Sequence, residues 1–123
     1  MATPLAFSTL VKRSDFLRLN RGQKYIAPCF ILRALPQLET GEACCRVGYT
    51  VTTKCGNAVL RNRTKRRFRA LIRELLPIHG RAGLDYVLIA RADVKPNAAE
   101  VEFAELRKQI EKALVYMQGR FPT

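Results

Sequence analysis

Between Lys54 and Arg73 the chain reads KCGNAVLRNRTKRRFRALIR, with eight Lys or Arg side chains and no acid. The whole sequence holds 22 Lys and Arg against 10 Asp and Glu, so this stretch supplies +8 of a net charge of +12. Read as a helix, it stacks Arg61, Lys65 and Arg69 on one line and Asn62, Arg66 and Arg73 on another. Like charges at that spacing repel, and cations near a helix N-terminus also oppose the macrodipole. A merely solvated face would be expected to carry relieving acids, yet none precedes Glu74. The chemistry these residues suit is neutralisation of a polyanion, with release of its counterions.

Residues that break bonds are harder to find. The chain offers no Cys/His pair, no paired carboxylates and no nucleotide-binding glycine loop. Asp85 and Asp93 flank one apolar run and look isolated. A protein nuclease needs metal-binding carboxylates or an acid–base pair, so no catalytic residue is assigned. Cys29, Cys44, Cys45 and Cys55 show no paired C-x2-C spacing and are expected to be free thiols rather than zinc ligands. His79, the only histidine, falls in a Pro77–Gly83 loop signal and is expected to be exposed and unpartnered.

The size and balance of the chain frame this reading. With 123 residues and 48% hydrophobic content, one globular domain is expected over 1–123, with 1–9 as a flexible arm. A pI near 10.2 favours nucleic acid over a membrane surface or a small-molecule substrate. No run is long enough to cross a bilayer and no targeting segment stands out, so the expected location is cytoplasmic.

The elements that position the basic stretch can be read in turn. Ser14 to Asn20 predicts a short helix ringed by Lys12, Arg13, Arg18 and Arg21. Its Phe16 suits either stacking on an unpaired base or a simple core contact. Lys24 to Leu35 is extended but interrupted at Pro28, which cannot donate to a ladder, and so reads as one strand or two. Arg33 breaks its apolar run and can point into a groove. Cys44 to Thr53 alternates Val47, Tyr49 and Val51 with Arg46, Gly48 and Thr50. The small polar face suits either the floor of a single-strand RNA site or plain solvent exposure. Asn57 suits an N-cap for a helix from Ala58 to Leu76, ending before Pro77. Phe68, Leu71, Ile72, Leu75 and Leu76 share one face, which continues towards the N-terminus into Thr64, Lys65 and Arg61. Leu84 to Ala92 predicts a buried strand. Asn97 and Glu100 resemble a capping box opening a last helix, with Phe103, Leu106, Ile110, Ala113, Leu114 and Met117 as its stripe. The expected fold is an α+β sandwich of order α-β-β-(β)-α-β-α, its helices on a mixed four-stranded sheet.

The run from Lys54 through Gly56, Ala58-Val59, Arg61-Asn62-Arg63, Lys65-Arg66 and Arg69 resembles the signature of the bacterial ribonuclease P protein component, and length, basicity and element order fit over nearly the whole chain. The resemblance implies the protein subunit of an endoribonuclease whose catalytic centre lies in its RNA subunit with bound Mg2+. That enzyme removes the 5′ leader of precursor tRNA. It also implies a left-handed β-α-β crossover, where the general rule is right-handed. Lys54, Arg61, Asn62, Arg63, Lys65, Arg66 and Arg69 would face the RNA subunit. Lys12, Phe16, Arg33 and Thr50 would lie in a leader-binding cleft. Many members carry a second aromatic one turn after the first, where this chain has Asn20. The residues by themselves also fit a non-catalytic RNA-binding protein, ribosome-associated or an RNA chaperone. Alanine at Arg61, Arg63 and Arg66 is expected to flatten the salt dependence of RNA binding with little effect on folding.

Overall fold

A computed structural model of the chain describes residues 6–10, 12–37 and 44–121. Five strands form one mixed sheet: β1 (Ala6–Thr9), β2 (Gln23–Ile26), β3 (Phe30–Pro36), β4 (Cys44–Thr50) and β5 (Leu84–Ala90), in the order β1-β4-β5-β3-β2. β1 and β5 run parallel to β4, while β3 is antiparallel to β5 and β2. Helices α1 (Arg13–Arg18), α2 (Ala58–His79) and α3 (Phe103–Gln118) complete the α+β architecture. Residues 6–9 of the expected arm are thus a fifth strand, pairing along β4 with Ala6 opposite Cys44 and Thr9 opposite Val47. Residues 1–5 of that arm, and 38–43 of the expected Pro36–Glu42 turn, lie outside the described residues.

Strand alternation divides the side chains between two faces. Phe30, Leu32 and Ala34 of β3, Cys45 and Val47 of β4, and Leu84, Tyr86 and Leu88 of β5 face α2 and α3. There they meet Phe68, Leu71, Ile72, Leu75 and Leu76 of α2, with Leu106, Ile110, Ala113, Leu114 and Met117 of α3. Each of the Val, Leu, Ile, Phe and Met side chains among them contributes about 1.5–3 kcal/mol on burial. Phe68 sits at the centre, edge-on to Phe30 at 6.0 Å and near-parallel to Tyr49 at 6.4 Å. Burial in this layer pushes the Cys45 thiol and the Tyr86 phenol up to about 12. The opposite face carries a smaller cluster of Leu10, Leu19 and Val87, edged by Phe16, Leu35 and Ile89.

Several boundaries differ from the sequence expectation, each for a local reason. The chain does break at Pro28, giving β2 and β3. The turn amide of Cys29 donates to the buried Gln109 Oε1 at 3.0 Å. Helix α2 runs past Pro77 to His79, because the buried Leu75 and Leu76 hold its last turn on the sheet and Gly80 N–H closes onto the Leu76 carbonyl at 2.7 Å. His79 therefore belongs to a helix, with Nε2 3.1 Å from Glu111 Oε2 on α3. The capping box forms, since Asn97 N–H donates to Glu100 Oε1 while Asn97 Oδ1 accepts from Ala99 and Glu100. It closes only one turn, and α3 restarts after Glu102. None of Cys29, Cys44, Cys45 and Cys55 is joined in a disulfide.

Leu19–Arg21 form a 3-10 turn that hands α1 over to β2 across the back of β3. At Gly22 a Cβ would stand 2.3 Å from the Ala34 carbonyl oxygen, a contact with backbone that no rotamer relieves. Gly22→Ala is expected to cost about 1–3 kcal/mol of stability, read as a lowered urea midpoint, whereas Gly83→Ala meets no atom within 4 Å and is strained only through its φ of +86°.

Candidate nucleic-acid interface

The basic side chains of α2 sort into two groups by what they touch. Asn57 caps the helix, its Oδ1 accepting from Leu60 N–H at 3.0 Å. Thr64 is buried on the line of the apolar stripe, its hydroxyl donating to the Leu60 carbonyl at 3.0 Å. Arg67 is an anchor: Nη1 and Nη2 donate to the carbonyls of Ala98 and Val101 at 2.6 and 2.7 Å. Burial, then the charge of Arg63, lowers its pKa below the usual arginine value. Arg63 Nε donates to the Ala99 carbonyl at 2.8 Å, and Arg61 Nε to the Gly56 carbonyl at 3.2 Å. These two are thus part of the fold as well as of the surface, a role the sequence expectation of little effect on folding did not include.

The remaining residues make an open basic face. Val59, Asn62, Lys65, Arg66 and Arg69 line one shallow depression along α2. Asn62, Arg66 and Arg69 are exposed, and Lys65 is half-buried. Arg69 is steadied by its guanidinium carbon standing 5.9 Å from the Tyr49 ring centroid. Lys54 is exposed in the 3-10 turn Thr53–Cys55 that joins β4 to α2. Of the predicted set, Asn62, Lys65, Arg66 and Arg69 share this depression, while Lys54 precedes the helix and Arg61 and Arg63 bond to backbone carbonyls.

On the opposite face of the sheet, register places Thr50, Ile89, Ile31 and Ile26 in one row, and Gly48, Val87, Arg33 and Lys24 in the next. Phe16 rests over Gly48, where a Cβ would come within 2.5 Å of its ring. Of the two roles the sequence left open, the structure shows the packing contact: Phe16 lies half-buried against the small cluster, beside the isoleucine row that floors this face. Ile26 remains 57% exposed. Arg33 reaches the edge of this face, its Nη1 donating to the Asn20 carbonyl at 3.0 Å. Lys12 is exposed at the start of α1. Phe16, Arg33 and Thr50 are brought to one face, with Lys12 at its rim.

What fixes α1 there was not foreseen. Asp85, dismissed as isolated, is fully buried beneath it and binds Arg18 Nη2. It also accepts from Arg46 Nε and Nη2 at 2.8 and 2.6 Å. Arg46 further approaches Asp15 of α1 at 3.5 Å, and its hydrogen bond to Asp85 raises its pKa above the usual value. The signal was present as an acid inside the apolar run LDYVLIA, since a charge in a buried strand demands a partner. Among the described residues, no group of three or more His, Cys, Asp or Glu could hold a metal ion.

The model of the family described as Ribonuclease P matches residues 6–118. The chain belongs to the ribonuclease P protein family. It is 48% identical over 103 residues to the ribonuclease P protein component of Erythrobacter litoralis, covering 84% of this chain and 79% of that one. With the Ruegeria pomeroyi component it shares 43% identity over 107 residues, covering 85% of each. The fold is similar to the Staphylococcus aureus RNase P protein, with a TM-score of 0.73 and 27% identity over 89% of this chain and 94% of that one. The RNase P protein from Thermotoga maritima gives 0.71 and 25%, covering 94% and 98%. Family membership makes this chain an RNA-binding protein subunit of an endoribonuclease of tRNA processing.

Within this ribonuclease P protein the Asp85 network is expected to hold the cleft together. Asp85→Asn leaves Arg18 and Arg46 without their carboxylate and should cost about 3 kcal/mol, measured by urea denaturation. Amide exchange should accelerate in Arg13–Arg21 more than in α3.

Proposed function

We propose that Lys54 in the turn before α2, with Arg61, Asn62, Arg63, Lys65, Arg66 and Arg69 on the helix, docks the RNA subunit of ribonuclease P. The observation that carries this reading is the depression in which the cations Lys65, Arg66 and Arg69 gather beside Asn62 with no acid among them. Such a surface binds phosphates through counterion release and positions an RNA without reading its sequence. The cleft of Lys12, Phe16, Arg33 and Thr50 takes the 5′ leader of precursor tRNA. A half-exposed aromatic above an apolar floor stacks an unpaired base, while Arg33 and Lys12 meet the backbone.

Among the described residues no group of three or more His, Cys, Asp or Glu could cage a magnesium ion. In the proposed division of labour, Mg2+ and the bond-breaking chemistry belong to the RNA. The protein raises affinity for the substrate and fixes the geometry of phosphates near the cleavage point. No helix among the described residues is long and apolar enough to cross a membrane, and the cytoplasm is the proposed place of action.

The decisive assay is cleavage of a 5′-extended precursor tRNA at physiological magnesium by a bacterial ribonuclease P RNA, with and without the chain. A gain in rate or substrate affinity is expected, with no cleavage by protein alone. Tight RNA binding without any gain, for a cognate RNA, would instead favour a non-catalytic RNA-binding role. Arg66→Ala and Arg69→Ala should each lower the slope of log affinity against log salt by roughly 0.7–0.9. Neither should shift the thermal midpoint.

A further inference from the structure

Phe103 opens α3 and is 44% exposed. Helical spacing placed it at the head of the core stripe, but its ring lies outside the core, against α2. The Arg67 guanidinium carbon stands 5.5 Å from the ring centroid. Arg67 is held in that position by the Ala98 and Val101 carbonyls. A second depression joins the ring to Arg63, Arg66, Arg67 and the small side chain of Ala70. Arg66 lines both depressions of α2, and Arg63 donates through Nε to the Ala99 carbonyl.

A flat apolar surface backed by a fixed cation, with further cations alongside, suits a nucleobase followed by its phosphate. An acidic peptide would use the cations but leave the ring without a role. The charge of Glu102, the residue before Phe103, is felt at Arg67. Arg66 and Arg63, which line the depression beside the ring, are placed to meet the phosphate. We propose that Phe103 is a stacking platform for one unpaired nucleotide of the RNA bound along α2, with Arg66 and Arg63 on the adjoining phosphate. This rests on the reading of α2 as the RNA-docking helix and adds a single-stranded contact to it, on the side of the helix that faces α3.

The test uses the full chain and a transcript of a bacterial ribonuclease P RNA. Phe103→Leu keeps apolar bulk and removes the π-face. It should weaken binding about five-fold or more without changing the salt slope. The sequence has no tryptophan, so Phe103→Trp creates a unique fluorophore. It should bind at least as tightly as the parent, and its emission should be quenched by the RNA. Leu binding as tightly as Phe, or Trp emission indifferent to RNA, overturns the platform. Arg69→Ala separates the two levels of the reading. If it loses affinity and salt slope while Phe103→Leu does not, only the platform falls; if neither variant changes binding, the docking role of α2 falls as well.

Discussion

A carboxylate with no access to solvent decides where α1 lies. Helix α1 is six residues long and buries none of them, far too little to persist by itself. Its position depends on Leu19 in the turn that follows, on Phe16 against the sheet, and on Arg18 bound to Asp85. Burying an ion costs several kcal/mol, offset only when its hydrogen bonds are nearly complete. Asp85 meets that condition by drawing one arginine from the helix and another from β4. The arrangement is not perfect, since Arg18 Nε is buried without a partner. Even so, it sets the height of Phe16 above Gly48 and hence the shape of the cleft.

The arginines of α2 show a related economy. Arg67 is consumed in tying the 98–101 turn to the helix, and Arg61 and Arg63 each give one donor to backbone. Lys65, Arg66 and Arg69 hold no hydrogen bond or ion pair among the described residues. One basic run thus builds its own scaffold and presents charge from it. Part of the repulsion within the run is absorbed by carbonyl oxygens, and the rest stays on the open surface.

Much of this was legible in the sequence, and the failures have physical causes. The apolar stripe of α2 and the charge above it follow from a single period of 3.6, so its face could be read directly. Gly48 signalled close approach, and the structure seats Phe16 there. Non-local pairings were not legible. Nothing in AFST says that it will join β4 in parallel, nor does any local pattern connect Arg18 to Asp85 across 67 positions. Pro77 and the capping box misled because tertiary burial extended one helix and the chain re-nucleated the other. Phe103 misled because periodicity reports a face but not where the core ends.

β4 serves both sites from its two sides. Val47 and Tyr49 meet the helical layer, while Arg46, Gly48 and Thr50 look into the cleft, and the same strand then leads through Lys54 into α2. A pleat with a period of two has no intermediate setting. Inserting or deleting one residue between Cys45 and Thr50 would exchange the two sets, sending an arginine beneath Phe68 and a tyrosine under Phe16. Length variation during descent should therefore be confined to the ends of this strand, and a lineage that altered its interior would lose the core and the two faces built on it in one event.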